Sequence, residues 1–378
     1  MRAFVFTDKA LAKYAGQFVW LSIDTEKAKN AAFSRKYPIR AWPSLYVIDP
    51  DKEKISLRWV GGATVAQLEK LFTDGKAAVR GTGADSAAAL AQADALYGEG
   101  RYKEAAAPYR DALRAMAPND PQYARAVESL LFCFQTLHDD AECAKLAREA
   151  MPRLRETASA ANLAGSGLDC TLGLPAGAAG RAEAVAAFEG DARAVLADPE
   201  LKLLADDRSA LYSSLVSARE GAKDADGARR LADEWVADLD EAAARASTPE
   251  QRTALDPNRL SAFDAAGRLE RAIPMLDQSE KDFPEDYNPP ARLAYVLLKL
   301  KRYDEALTAA DRALTRVYGP RRIRVLSTII DIQQAQGDRA AARKTLEEAL
   351  AFAQALPEGQ RSEEQIASLK KRLDAVPR

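Results

Sequence analysis

The sequence predicts a chain of mixed class, α/β followed by all-α. A short α/β segment spans about 1–75, a linker 76–84, and an array of helical hairpins 85–378. Three observations carry this. In Pro290–Leu314, small residues (Ala294, Ala306, Ala310, Ala313) and large apolar ones (Leu293, Leu297, Leu300, Tyr303, Leu314) fall at helical spacing on both sides of a break at Lys301-Arg302. Two antiparallel helices approach closely only where side chains are short, so Ala306 marks a contact that Leu297 and Tyr303 fill from the side. Similar units recur along the chain. The first 75 residues instead carry short apolar, β-branched runs separated by turns.

Within 1–75, Phe4–Gly16 reads as a helix and Phe18–Asp24 as a buried strand. Glu26–Lys36 reads as a second helix and Ser44–Ile48 as a strand. Asp49-Pro-Asp-Lys52 is turn chemistry, and Ile55–Val60 alternates as an antiparallel partner. Gly61-Gly62 ends that strand, and Thr64 or its predecessor caps a last helix through about Phe72. Gly75–Gly83 is a linker by composition.

From Asp85 the helical period is almost unbroken. Gly100-Arg-Tyr102-Lys-Glu-Ala105, Tyr109, Ala112 and Pro118 form one hairpin. The next has Leu130–Phe132, a turn at His138–Asp140 and Ala144–Met151. Glycines punctuate 157–199, with a loop near Leu174–Gly180 and a helix Arg181–Leu196. Tyr212–Arg219 pairs with Ala228–Leu239, and Leu260–Phe263 with Ala272–Phe283. After the unit at 288–319, Leu326–Gln336 pairs with the helix bearing Ala342, Leu346 and Ala349. Glu363–Leu373, charged on one face, closes the array as about the seventh hairpin ends.

The small-residue, turn, aromatic, Glu-Ala order at 294–313 resembles a tetratricopeptide (TPR) repeat, and Ala272, Ala306 and Ala342 recur near its ~34-residue period. The order α-β-α-β-β-α over 1–75, with Tyr37-Pro-Ile-Arg-Ala-Trp-Pro-Ser-Leu45, resembles a thioredoxin fold. That resemblance implies a cis Trp42–Pro43 bond and a substrate groove beside Trp42, Pro43 and Ser44. It also implies a first strand and a Cys-x-x-Cys, in which a helix N-terminus lowers the attacking thiol's pKa. No cysteine precedes Cys133. Met1–Asp8 resembles the stretch just after the second cysteine in one branch of that family. One expectation is therefore a thiol–disulfide oxidoreductase whose natural chain extends upstream of Met1, with the repeats selecting clients. The other is a redox-inactive binding protein. The chain as it stands lacks both active-site sulfurs and is not expected to be an enzyme.

A net charge of −2 gives no case for nucleic acid or an anionic membrane surface. No apolar run approaches ~18 residues, so no membrane span is expected. Asp8 and Lys9 interrupt the apolar start, so the chain as written is expected in the cytoplasm, and in the periplasm or outside if an export signal lies upstream. Neither a metal nor another cofactor is expected: Cys133, His138 and Cys143 sit five apart, on different helical faces, with no fourth ligand. A Cys133–Cys143 disulfide is open to an oxidising compartment, leaving Cys170 odd. The acidic runs sit at solvating helical positions, and the glycines at 165–180 lack the strand–turn–helix setting of a phosphate loop.

In TPR proteins partners bind the face formed by the first helix of each pair. The matching positions are Asp94, Tyr97, Glu220, Asp264, Tyr295, Lys299, Asp331 and Gln334. This acidic, tyrosine-bearing lining suits a basic or neutral segment of a protein or peptide partner.

Overall fold

The computed structural model describes residues 1, 3–39, 41–80, 85–117 and 119–376; of the linker, 81–84 lie outside the described residues, as does Pro118. The chain forms two compact units. One comprises 1–18 and 39–242, the other 19–38 and 243–378.

The elements follow in order. A short helix α1 (Ala31–Lys36) precedes strands β1 (Ser44–Asp49) and β2 (Lys54–Val60), then α2 (Val65–Arg80). Helical hairpins follow: α3 (Asp85–Gly98) with α4 (Tyr102–Ala115), α5 (Tyr123–Leu137) with α6 (Asp140–Leu154), α7 (Ser159–Gly173) with α8 (Arg181–Ala197), and α9 (Ala205–Gly221) with α10 (Ala225–Arg245). After the short α11 (Pro249–Ala254) come α12 (Asp256–Ala265) with α13 (Ala272–Asp282), α14 (Asn288–Lys299) with α15 (Tyr303–Arg316), α16 (Arg321–Gln336) with α17 (Arg339–Ala355), and the closing α18 (Glu363–Ala375). The chain is mostly helical, a succession of antiparallel helical hairpins with a small antiparallel sheet near its start.

In the first unit β1 and β2 pair antiparallel from Ser44↔Val60 to Asp49↔Lys54, with an irregularity at Val47/Ile48. Thr64 caps α2 reciprocally with Gln67: Gln67 N donates to Thr64 Oγ1 at 3.2 Å and Thr64 N to Gln67 Oε1 at 2.8 Å. Val5, Leu11, Leu57, Trp59, Ala63, Leu68, Leu71 and Phe72 form one apolar cluster, which Met1, Tyr14 and Phe18 also join, so the N-terminal segment packs against β2 and α2. Leu57, Arg58 and Trp59 are all buried, so β2 is covered on both faces and its alternation is not amphipathic. α2 and α3 come unusually near the strands: a Cβ on Gly75 would lie 2.6 Å from Val47 Cγ2, and one on Gly98 2.9 Å from Ile55 Cγ2.

The expected α/β order is met only in part. Among the described residues the sheet has two strands, and a thioredoxin fold is not established. Phe4–Gly16 is not an α-helix but turns and a 3-10 helix at Lys9–Tyr14, where Asp8 Oδ1 accepts from Ala10 N at 2.8 Å. Phe18–Asp24 is not a buried strand: Val19, Trp20 and Leu21 are exposed, and 19–24 belong to the second unit. Its continuation is held there by Tyr318 Oη donating to Asp24 Oδ2 (2.5 Å), Arg321 Nε to Glu26 Oε1 (3.0 Å) and Gln360 Nε2 to the Thr25 carbonyl (2.8 Å). These contacts, two of them charge-assisted, substitute for a sheet ladder. The linker expectation is also revised at 76–80, which continue α2 as helix.

The hairpins follow the sequence pattern closely. Ala272, Ala306 and Ala342 are each fully buried where the helices of a pair meet. His138, Lys223, Lys301 and Gly337 adopt left-handed backbone and turn the chain between paired helices. The glycines of 165–173 are not loop punctuation. They lie within α7, where a Cβ on Gly167 would sit 2.3 Å from Phe188 of α8 and one on Gly173 2.3 Å from Asp140 of α6. Cys143 pairs with Cys170, Cα–Cα 6.0 Å, rather than with Cys133, which is free and buried. The reason is stacking: Cys143 on α6 faces α7, which carries Cys170, and its own neighbour α5 presents Cys133 elsewhere.

Candidate functional site

The first helices of the last three hairpins, α12, α14 and α16, carry five of the expected partner-binding residues, all in the second unit. Pro289 and Pro290 start α14, where a missing N–H costs nothing, and its apolar stripe of Leu293, Val296 and Leu297 turns inward. Tyr295 and Lys299, four residues apart, are thereby left on the opposite, exposed side. Tyr295 Oη donates to Asp264 Oδ2 of α12 at 3.2 Å, and Lys299 Nζ lies 5.6 Å from the centre of the Tyr295 ring. On α16, Asp331 Oδ1 and Gln334 Oε1 both accept from Arg372 Nη2 of α18, at 2.5 and 3.4 Å. The structure thus joins Asp264, Tyr295 and Lys299 in one cluster and Asp331 and Gln334 in another.

This face is acidic in composition but its carboxylates are engaged. Asp331 has its arginine, and Asp264 has a phenol. Arg372 is not legible as a site residue, because its role depends on where α18, packed on α17, lets its side chain reach α16. Nearby, Asp256 is 1% exposed and its Oδ2 has no hydrogen-bond partner. Burial pushes its carboxyl up to about 6, against a Ser279 hydrogen bond and the charge of Arg292. Burial in turn lowers the Arg292 guanidinium.

The remaining candidates lie in the first unit and differ in kind. Asp94 is not on an open groove. It is 4% exposed and clamped by Arg125, whose Nη1 and Nη2 donate to its Oδ1 and Oδ2 at 2.6 and 2.9 Å, and by Tyr109 Oη at 2.8 Å. Arg125 Nε also faces Asp74 Oδ2 at 3.6 Å. Tyr97 is likewise interior, edge-on to Tyr102, Tyr109 and Phe132. The Arg58 guanidinium lies 5.5 Å from the Tyr97 and Tyr46 rings and 5.8 Å from Tyr102, and Nη1 donates to Tyr102 Oη at 2.9 Å. Helical register alone puts both Asp94 and Tyr97 on the face; α4 and α5 cover Asp94, and β2 covers Tyr97. Glu220 is exposed at the end of α9.

Trp42 and Ser44 stand at the start of β1, and the Trp42–Pro43 bond is cis. Trp42 is exposed, Ser44 Oγ donates to the Ala41 carbonyl at 2.8 Å, and the Pro43 carbonyl accepts from Gly61 N at 2.9 Å. That carbonyl is already engaged by the fold's own backbone.

Among the described residues no group of three or more His, Cys, Asp or Glu side chains is arranged to hold a metal ion. No helix among them is long and apolar enough to cross a membrane.

Residues 287–359 match the family model for the tetratricopeptide repeat, so the α14–α17 pairs are TPR repeats. A TPR protein of Parabacteroides merdae is 11% identical, with a TM-score of 0.47 over 76% of this chain and 98% of its own. The TPR2AB domain of yeast Sti1, solved as a complex with pHSP90, is 15% identical with a TM-score of 0.29, covering 76% of this chain and 98% of that one. A Rap protein in complex with competence and sporulation factor is 12% identical, with a TM-score of 0.38, over 81% and 80%. The comparison with curated proteins gave no match.

Proposed function

We propose that this chain is a protein-binding TPR protein, whose second unit takes an extended segment of a partner along α12, α14 and α16. The observation that carries the reading is the exposed Asp264–Tyr295–Lys299 cluster lying on first helices, in and beside the matched TPR stretch. Tyr295 offers a flat ring with little rotamer entropy to lose, Lys299 a mobile donor, and Gln334 an amide that can read a backbone. With Asp331 and Asp264 already engaged, a neutral or mildly basic segment suits the face better than an acidic one. In this reading no redox role is assigned to residues 1–75.

A photo-crosslinking side chain placed at Tyr295 should capture the partner, and the same group at Asp311, exposed on the second helix α15, should not. A synthetic peptide of the captured segment should then lose about tenfold in affinity to Y295A, or roughly 1.4 kcal/mol. Equal capture at both positions, or equal peptide affinity for Y295A, would sink the proposal.

A further inference from the structure

The first unit holds a separate cavity of about 210 Å³, lined by Trp59, Val60 and Gly61 of β2 and its end, Tyr97 of α3, Arg125 to Gln135 of α5, and Asn162 of α7. Three aromatic side chains, Trp59, Tyr97 and Phe132, contribute to its wall. Asn162 is exposed while Gln135 and Gly61 are half-buried, so the cavity has a polar mouth. Inside it stands Glu128, whose Oε1 is shut off from solvent and has no hydrogen-bond partner. A buried carboxylate oxygen left unsatisfied costs on the order of several kcal/mol unless something meets it, so its retention in a roomy cavity needs a reason.

We propose that this cavity binds an alkylammonium group, a short aliphatic stem ending in –NH3⁺, with Glu128 as counter-ion and Trp59, Tyr97 and Phe132 around the stem. The volume is that of about seven water-sized groups, and a lysine side chain makes roughly five. Aromatic faces attract a cation and line an apolar stem equally well. The charges around Glu128 favour a cation over an anion. On α5 itself Arg125 also lines the cavity; its Nη1 and Nη2 are committed to Asp94, and its Nε, with no hydrogen-bond partner, lies 3.6 Å from Asp74 Oδ2. From α9, the charge of Asp207 acts on Glu128, and from α7 Ser159 and Asn162 reach it as neutral hydrogen-bonding groups. Tyr97 of α3 is held neutral by its burial. Among the described residues, the groups that act on the Glu128 carboxyl are Ser159, Asn162 and Asp207, none of them a cation, and burial pushes that carboxyl up to about 7. A bound ammonium supplies the missing donor and draws Glu128 into its charged form, so binding releases a proton below about pH 7. The site lies in the first unit and is independent of the face on α12, α14 and α16.

The test uses the full chain and the indole N–H resonance of Trp59, identified by its loss in W59F. Two probes separate the sources of the group: n-butylammonium chloride for a free amine, and the peptide acetyl-Gly-Lys-Gly-amide for a lysine side chain. At least one should shift the resonance saturably at pH 8, and the tighter of the two names the source. Affinity should rise about tenfold per pH unit up to about 7 and level off above it. E128Q, checked for native circular dichroism, should bind at least tenfold more weakly and lose the pH dependence. No saturable shift with either probe would overturn the proposal. So would n-butanol binding as well as butylammonium, or a folded E128Q that binds like the parent. If E128Q does not fold, the parent's pH profile decides: a slope supports the site and a flat line refutes it.

Discussion

Asp94→Asn is the perturbation that most sharply separates two meanings of one residue. If Asp94 serves a partner, removing its charge weakens binding and leaves the fold alone. The structure gives it another task. Arg125, 4% exposed, is neutralised chiefly by Asp94 through two charge-assisted bonds of 2.6 and 2.9 Å. Each such bond contributes about 1.5–3 kcal/mol, so losing both costs about 3–6. The second carboxylate, Asp74, stands 3.6 Å from Arg125 Nε and still offsets part of the stranded charge. The amide oxygen that the substitution introduces would keep one acceptor for Tyr109 or Arg125. The expected loss is therefore at the lower end, about 3 kcal/mol, within the range for breaking a buried pair. A helical array need not unfold in one step, so urea denaturation should be read with hydrogen exchange on peptides from α3 and α5. Those peptides should exchange faster by a factor on the order of 100, while α14–α17 peptides stay unchanged. D94L/R125M, which removes both charges, should recover most of the loss, giving a coupling of about 2 kcal/mol in a double-mutant cycle. A D94N cost below about 1 kcal/mol, with unchanged exchange in α3 and α5, would refute the assignment of Asp94 to the interior network.

Three further outcomes are expected. Asp256 and Asp207 are both pushed up to about 6, chiefly by burial, and Glu128 to about 7, so the native state holds these protons more tightly than the unfolded chain. Their contribution is full below about pH 4 and is lost as pH rises toward 7; D256N should thus be more stable than the parent at pH 8 by on the order of 2–3 kcal/mol, with little difference at pH 4, measured by thermal melts at both. The Cys143–Cys170 bridge closes a separation of 27 residues, so C143S should lower the stability of the α6–α7 region by about 3–4 kcal/mol on the chain-entropy account, and dithiothreitol should change the parent's urea midpoint but not that of C143S. Gly319 has φ +59, and a Cβ there would lie 2.0 Å from the Glu26 carbonyl oxygen; G319A should release the segment 19–38, seen as faster tryptic cleavage at Lys27 and Lys29 with the melting of the repeats nearly unchanged.

Sequence alone determined the repeat architecture. Local rules suffice there: an alanine every ~34 residues where two helices touch, a turn between paired helices, and an apolar stripe at helical spacing are all written in consecutive residues. Exposed positions such as Tyr295, Lys299, Asp331 and Gln334 followed from the same register, because the apolar stripes of α14 and α16 turn the other way. Tertiary structure decided everything that depends on what lies across the gap. Asp94 and Tyr97 share the register of an open groove, yet β2 packs on Tyr97, and α4 and α5 bring Tyr109 and Arg125 onto Asp94; only that packing makes Asp94 the counter-ion of Arg125. Cys143 chose Cys170 over Cys133 because stacking of α6 on α7, not sequence distance, brings sulfurs together. Phe18–Asp24 carries the composition of a strand, but a strand needs a partner to satisfy its backbone. The ion pair and hydrogen bonds that hold its last residue and the two after it, Asp24 to Glu26, come from side chains about 300 positions away. Composition sets what a segment can do; which of those options it takes depends on the groups that long-range folding places beside it.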